Sequence, residues 1–300
     1  MISRAIRIAA AFLATFAFFV LDAHGQQRIA SIQDFTGDVE VEHSAQIIKP
    51  LKLGRMIRNG DVFDSDTVRT RIGQADLLVV DGSVVKMDQN TTLYAGVETV
   101  APGAGMPAPP ADRKFRVVVG RIWADVKPSR TSTTKFELPD GVAAVRGTIV
   151  AFGVTAAKDW EASIDRGVMS LMQTAVSAHM SLSSGDKFGS GKAEGAASRF
   201  SNLGNGSFDV LLADGSRVSG FDPTKVLDVT RNPDGTYRLF AFRGDFLYTT
   251  AAGRRMQISQ GGSVESGQTQ AGPAGAAGGH TGGGSGGGTT SNNDMHQPME

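Results

Sequence analysis

The chain has 300 residues, and its 30 Lys and Arg balance its 30 Asp and Glu, so the formal net charge is zero. A neutral chain has no overall field that would concentrate it on nucleic acid or an anionic membrane, so such binding would need a local patch. The chain has no cysteine, which excludes disulfides, thiolate metal sites and cysteine nucleophiles.

The first 25 residues have the features of a secretory signal peptide. Arg4 and Arg7 give a positive start, residues 8–21 are almost entirely apolar, and Ala23 and Gly25 are small residues of the kind that a signal peptidase accepts. We expect cleavage after Gly25. An uncleaved anchor is the alternative, but the run is shorter than the about 20 residues that a spanning helix needs. No later apolar stretch is long enough to span, so we expect an exported mature chain, periplasmic or extracellular, without a transmembrane helix.

The opposite end is rich in glycine. Residues 261–300 hold 13 of the 38 glycines and contain no Leu, Ile, Phe, Tyr or Trp. Such a segment cannot bury enough apolar surface to offset its chain entropy, so we expect a disordered tail. Residues 26–260 are then the part that folds.

The foldable part has the pattern of an all-β protein. Helical periodicity is nearly absent, and short apolar runs alternate with Gly, Asp, Asn and Pro. We predict β-hairpins at Asp81-Gly82 and Asp214-Gly215, as two-residue turns in which both residues take positive φ. A third hairpin is expected across residues 232–235. The apolar phase changes after Gly120, which predicts a β-bulge there.

A weak internal similarity relates two later segments. Arg166-Gly167 and Arg243-Gly244 are each followed by a similar order of apolar residues and a glycine turn. Stacked β units of similar geometry would produce this, and so would convergence on a simple pattern. We take it only as support for a smaller β-rich extension over residues 189–260.

Residues 136–154 resemble the signature of the FecR domain family. They contain Pro139, then small residues, then Val145-Arg146-Gly147-Thr148 and an apolar strand. Other family features occur in order at residues 37–41, 59–67, 75–87 and 120–123. The resemblance covers about residues 29–188, and one departure is Leu138, where the family usually has Thr. It implies an all-β FecR-like domain at 26–188, built from short antiparallel strands and hairpins as a sandwich or β-roll.

The role of the signature residues has two interpretations. In the structural one, Arg146 donates to backbone carbonyls or to one carboxylate and Gly147 forms a bulge. In the functional one, Arg146 is presented to a partner or an anionic ligand. Pro139, Val145 and Thr148 belong to the same structural or partner-binding set.

The sequence offers little support for an enzyme, a metal or a cofactor. The histidines of the mature chain, His43, His179, His280 and His296, are isolated, and no nucleophile elbow or phosphate loop occurs in the foldable part. Asp61, Asp64 and Asp66 cluster, but turn capping explains them better than paired catalytic carboxylates or a calcium loop. We therefore predict no catalytic, metal or cofactor residues. The basic residues between 52 and 71 lack interleaved aromatics, so we expect no nucleic-acid partner.

Members of the FecR family are best known as membrane-spanning regulators with a cytoplasmic anti-sigma segment. We expect this chain to lack both that segment and an internal spanning helix, so the resemblance implies only the exported β domain. We expect a non-enzymatic binding or sensing module of the bacterial cell envelope, engaging a protein or an envelope ligand, for example by strand addition. A structural or surface-displayed spacer is the alternative, and a carbohydrate-active enzyme is a weaker one.

Overall fold

The computed structural model describes residues 27–54, 56–99, 111–193 and 197–266. These residues form strands and turns without a helix, which confirms the all-β prediction. The predicted signal peptide, most of the predicted tail and the proline-rich residues 101–110 lie outside the described residues. Over the described part, no helix has the length and apolarity to cross a membrane.

The strands are numbered in chain order. The first eleven are β1 (Arg28–His43), β2 (Gln46–Ile48), β3 (Leu51–Leu53), β4 (Met56–Arg58), β5 (Asp61–Phe63), β6 (Thr67–Val79), β7 (Val84–Met87), β8 (Thr91–Glu98), β9 (Asp112–Asp125), β10 (Thr134–Leu138) and β11 (Gly141–Val145). The others are β12 (Ile149–Val154), β13 (Trp160–Arg166), β14 (Val168–Gln173), β15 (Ala178–Ser183), β16 (Lys187–Lys192), β17 (Ser198–Asn202), β18 (Phe208–Leu212), β19 (Arg217–Phe221), β20 (Val226–Arg231), β21 (Tyr237–Arg243), β22 (Phe246–Thr249), β23 (Arg255–Ile258) and β24 (Ser263–Glu265).

Two rows of paired strands face each other across one core. Sheet one runs from β7 and the end of β9 through β12, β13, β16, β17, β20 and β21 to β24. Sheet two runs from β8 and the start of β9 through β10, β11, β14, β15, β18, β19 and β22 to β23. Phe136 of sheet two meets Phe152 of sheet one with ring centroids 4.9 Å apart. The molecule is therefore a two-layer β-sandwich.

Beyond residue 148 the sandwich is built from hairpins that alternate between the sheets. Hairpins β12–β13, β16–β17 and β20–β21 lie in sheet one, and β14–β15, β18–β19 and β22–β23 lie in sheet two. Strands β12, β16 and β20 begin at residues 149, 187 and 226, so the unit repeats after 38 and 39 residues. The similarity between Arg166-Gly167 and Arg243-Gly244 spans 77 residues, or two such units. The structure thus shows stacked β units, which were one of the two explanations of this internal similarity.

Before residue 148, three long strands pass from one sheet to the other. Strands β1, β6 and β9 contain Gly37, Gly73 and Gly120, each with a positive φ, at 67°, 151° and 100°. Gly37 pairs directly with Gly73. The register of β9 slips at Val118, because Leu93 faces Val117 while Thr92 faces Val119. The phase change seen in the sequence is therefore a strand that bends into the second sheet, with the bulge two residues before Gly120.

The Asp-Gly hairpins form with a different turn from the one we predicted. The amide of Gly82 donates to the Val79 carbonyl at 2.9 Å, and only Gly82 of the Asp81-Gly82 pair has a positive φ. The carboxylate of Asp81 accepts the Ser83 amide at 2.9 Å. Such a type I turn closed by a glycine bulge needs one positive φ rather than two. Asp214-Gly215 repeats this arrangement, so the predicted two-residue turn was wrong at both hairpins.

The expected boundaries fall within continuous β structure. The division between residues 188 and 189 lies inside β16, and residues on both sides of it belong to one hydrophobic core. Strand β24 lies beyond residue 260, and Ser266 is buried, with its hydroxyl accepting the Tyr237 amide at 2.7 Å. The β structure consequently continues to Ser266.

Candidate functional site

The signature segment makes the passage from sheet two to sheet one. It includes most of the hairpin β10–β11, whose turn contains Pro139, and continues through residues 146–148 into β12. Val145 is buried in the core, and Thr148 is fully buried with its hydroxyl donating to the Val168 carbonyl at 2.9 Å. Gly147 has a φ of 66° and lies against Pro128. The segment therefore anchors a change of sheet through Thr148 and Gly147.

Arg146 lies on the surface of this passage. Its guanidinium Nη2 donates to the hydroxyl of Thr133 at 3.1 Å. This partner is neither the backbone carbonyl nor the carboxylate that the structural interpretation expected. Leu138, the departure from the family pattern, is buried in the core, so an apolar residue suits its position.

A buried polar cluster next to the signature was missed by the sequence reasoning. The carboxylate of Asp140 accepts the Trp160 indole N–H and, at 2.7 Å, the side-chain amide of Gln173. Gln173 also donates to the Ser198 hydroxyl at 3.3 Å. Asp140 follows a proline and precedes a glycine, so it looked like an ordinary turn residue. The cluster links the signature hairpin to strands of the later repeats.

The carboxylates of Asp61, Asp64 and Asp66 are all engaged in contacts within the protein. Asp66 is buried and accepts the His43 ring Nδ1 at 2.7 Å, while Asp64 accepts the Val97 amide at 3.0 Å. Asp61 pairs with Arg28 at 3.2 Å. Among the residues that the structure describes, no group of three or more His, Asp or Glu side chains could hold a metal ion. These Asp residues act as caps and ion-pair partners.

A groove crosses the outer face of sheet one. Its central row runs in register over five strands: Arg121 on β9, Gly153 on β12, Glu161 on β13, Gly189 on β16 and Ser201 on β17. These residues point outward because their chain neighbours on the same strands are buried in the core. The sequence reasoning missed the groove, since only the pairing of distant hairpins brings these residues together.

Glycines create the depth of the groove. Gly153, Gly189 and Gly191 leave the floor without side chains, and the cavity has a volume of about 660 Å³. Leu203 leans over Gly189, and Asp159 lies beside Gly191. The volume falls in the range of about 300–1,000 Å³ found for ligand sites, so the groove can hold a small molecule or a short stretch of a chain.

Ion pairs form the walls of the groove. Glu161 accepts from Arg121 at 3.0 Å and from Lys187 at 2.9 Å. At the other end, Arg199 contacts both carboxylate oxygens of Asp228 at 2.8 Å. Because each cation faces an anion, the groove offers hydrogen-bond donors and acceptors without a strong net charge.

An aromatic surface continues this end of the groove. The guanidinium of Arg199 lies 4.0 Å from the ring centroid of Phe242. Phe242 is 45% exposed, although it is a large apolar side chain. A partner bound over Ser201 would therefore meet a stacked pair of a cation and an aromatic ring.

The comparisons with known proteins support the FecR resemblance. Residues 66–168 match the family model described as FecR protein, which confirms the family expected from the signature, over a shorter span than residues 29–188. The match identifies a domain type related to cell-envelope signalling, from a regulatory rather than an enzymatic family. No curated protein matches the sequence.

The chain also has a weak similarity to a solved structure. It is the wild-type TCP10 domain of Danio rerio CPAP in complex with a peptide of Danio rerio STIL, with 14% identity, 71% of this chain and 94% of that chain covered, and a TM-score of 0.15. A TM-score this low carries no structural argument.

Proposed function

We propose that this protein is an exported, non-enzymatic binding or sensing module of the bacterial cell envelope. The observation that carries the proposal is the groove on sheet one, which begins inside the FecR match at Arg121 and ends outside it at Ser201. The partner is a protein or an envelope ligand, bound at this groove.

The chemistry of the groove favours binding over catalysis. Three of its charged side chains, Arg121, Glu161 and Arg199, are held in ion pairs. Asp88 and Asp159 also line the groove, without an ion pair among the described residues, and the floor is glycine and backbone. A general acid or base needs a titratable group that is free to exchange a proton with a substrate. Paired side chains around a small-residue floor instead provide a fixed pattern of donors and acceptors for recognition.

The signal peptide and the envelope location are part of the same proposal. The expected export rests on residues 1–25, and a regulatory family of envelope proteins agrees with it. A spacer protein remains the alternative function, because a two-layer sandwich can also act as a stable support. The two functions differ in whether a specific partner occupies the groove.

The test is capture of a partner with the groove blocked. Ser201→Trp fills the groove, and Ser181→Trp places the same side chain on the exposed outer face of sheet two. We expect crosslinking in envelope preparations to yield one partner with the unaltered chain and with Ser181→Trp, and none with Ser201→Trp. No partner with any chain would favour the spacer, and equal capture by both variants would exclude the groove.

A truncated chain shows whether residues 267–300 take part. The chain should end after Ser266, because β24 pairs with β21 and Ser266 bonds to Tyr237. A partner retained after this truncation belongs to the β-sandwich. A cut after residue 260 would remove β24 and would confuse loss of binding with loss of structure.

A further inference from the structure

A short hairpin near the N-terminal end presents an apolar face to solvent. Strands β3 and β4 pair with each other, with Leu53 opposite Met56 and Leu51 opposite Arg58. Directly opposed residues of an antiparallel pair lie on the same face, so these four side chains share one face. Ile57 lies on the other face and packs against the core. We name β3, β4 and their connecting turn the arm.

The exposed face of the arm is unusually apolar. Leu51 is 52% exposed, Leu53 43% and Met56 62%. Ile47, shortly before β3, is 60% exposed. Isolated exposed apolar side chains are ordinary, but a cluster on one short hairpin marks an interaction surface. Within the described residues nothing covers this face.

The arm is also basic. Residues 44–60 contain four Lys and Arg and no Asp or Glu. Lys49 is held by Asp38 at 2.8 Å, and Lys52 is held by Asp34. Arg58, which lies on the apolar face, forms no ion pair among the described residues. Arg58 therefore places an uncompensated positive charge beside the exposed aliphatic side chains.

Charge decides among the possible occupants of this face. A second copy docked face to face would bring Arg58 against another basic arm, which like-charge repulsion opposes. Residues 267–300 offer only Met295 and Met299 as large apolar side chains, too few to cover the arm. Nucleic acid would find no aromatic ring on the arm for base stacking. An occupant that is both anionic and apolar therefore fits this face best.

We propose that the arm inserts into the surface of an anionic phospholipid bilayer. Leu51, Leu53 and Met56 would enter the boundary between headgroups and acyl chains, and Arg58 would contact the phosphates. This contact would hold the protein at a membrane while the groove on sheet one faces its partner. The inference stands on the arm alone and does not require the groove to bind.

The absence of cysteine allows a local test with single labels. Met56→Cys in the full chain is labelled with an environment-sensitive fluorophore, and Leu211→Cys, which is also exposed and lies on the outer face of sheet two, is the control. With vesicles containing phosphatidylglycerol we expect a blue shift at position 56 and none at 211. Because the label reports its own surroundings, membrane contact by another part of the chain does not mimic the result.

A charge reversal tests the electrostatic part. Arg58→Glu in the labelled chain should weaken the partition into phosphatidylglycerol vesicles roughly tenfold, because one cation near an anionic surface is replaced by an anion. The melting temperature should not change, since Arg58 is exposed. The proposal is overturned by no shift at position 56, by an equal shift at 211, or by equal partition into neutral phosphatidylcholine vesicles. A blue shift at position 56 that appears on adding unlabelled protein without vesicles would also overturn the proposal, because it would show self-association.

Discussion

The two ends of the sandwich reach the same two-layer core by different routes. Up to residue 148, β1, β6 and β9 bend at glycines and contribute to both sheets. From residue 149 onward each strand stays in one sheet, and hairpins alternate between the layers. The early region therefore depends on a few backbone positions, whereas the later region depends on a repeated pattern of apolar residues.

The difference is clearest in what the glycines do. At Gly37, a Cβ atom would overlap the backbone carbonyl of Ile72 on the neighbouring strand. At Gly235, in the β20–β21 turn, a Cβ atom would meet nothing within 4 Å. Both have a positive φ, at 67° and 86°. The bend glycine is required by both conformation and space, and the turn glycine by conformation alone.

The largest expected effect is at the bend. Gly37→Ala should destabilise the protein by about 3 kcal/mol or more, because strain from a positive φ adds to a backbone overlap that β1 and β6 can relieve only by separating. Gly235→Ala should cost about 1–2 kcal/mol, the strain alone. Denaturant unfolding measures both. Equal losses of unfolding free energy in the two variants would mean that the bend glycine is no more restricted than the turn glycine.

The next effect concerns the cluster that joins the regions. Asp140→Ala should cost about 2–3 kcal/mol, because it leaves the Trp160 indole without its acceptor and the buried Gln173 amide with only its longer bonds to the Ser190 and Ser198 hydroxyls. The tryptophan emission should shift as well. Asp214→Ala, which removes a turn carboxylate with only local contacts, is the control and should cost about 1 kcal/mol or less. Matching losses would show that Asp140 is only a turn residue.

The signature offers a smaller and sharper contrast. Thr148→Val keeps the shape but removes the hydrogen bond to the Val168 carbonyl, so we expect a loss of about 1–2 kcal/mol. Arg146→Ala should change stability by less than about 0.5 kcal/mol, because within the described residues the guanidinium of exposed Arg146 bonds only to the hydroxyl of Thr133. Thermal melting separates them. A large loss with Arg146→Ala would restore the structural interpretation of the arginine.

The smallest effect is a pH dependence in the early region. Burial raises the pKa of Glu137, but hydrogen bonds from Arg116 and Lys114 outweigh it, so the pKa lies below its ordinary value of 4.5. A lowered pKa stabilises the fold above the unfolded-state value, and the contribution disappears as the pH falls through the folded-state value. Glu137→Gln should lower stability at neutral pH by about 0.5–1 kcal/mol and flatten the acid limb of the stability profile. An unchanged acid limb would contradict this.

Local features of the fold were predictable from the sequence. The hairpins at Asp81-Gly82 and Asp214-Gly215 have their glycine next to strand-forming runs, and the phase change at Gly120 is visible as alternation that shifts by one residue. The residues that make up each of these signals lie within about ten positions of one another in the sequence. The FecR resemblance was also visible, because the Val145-Arg146-Gly147-Thr148 motif is contiguous.

Features that depend on distant pairing were not predictable. The groove needs Gly153 beside Glu161 and Gly189 beside Ser201, and the order of hairpins sets these neighbours. Asp140 gave no signal, because its partners Trp160 and Gln173 are 20 and 33 residues away. The type of the Asp-Gly turn was wrong because dipeptide composition does not distinguish a two-residue turn from one with a glycine bulge.

We propose that one partner contacts the groove both within the FecR match and beyond it, and this is the central claim. Gly153 lies inside the FecR match and Ser201 lies beyond it. A photo-crosslinking residue placed at either position, in cells that make the protein, tests the claim most directly, with position 181 on sheet two as the control. We predict adducts of the same mass at 153 and 201 and none at 181. No adduct at either groove position, or the same adduct at 181, would contradict the account.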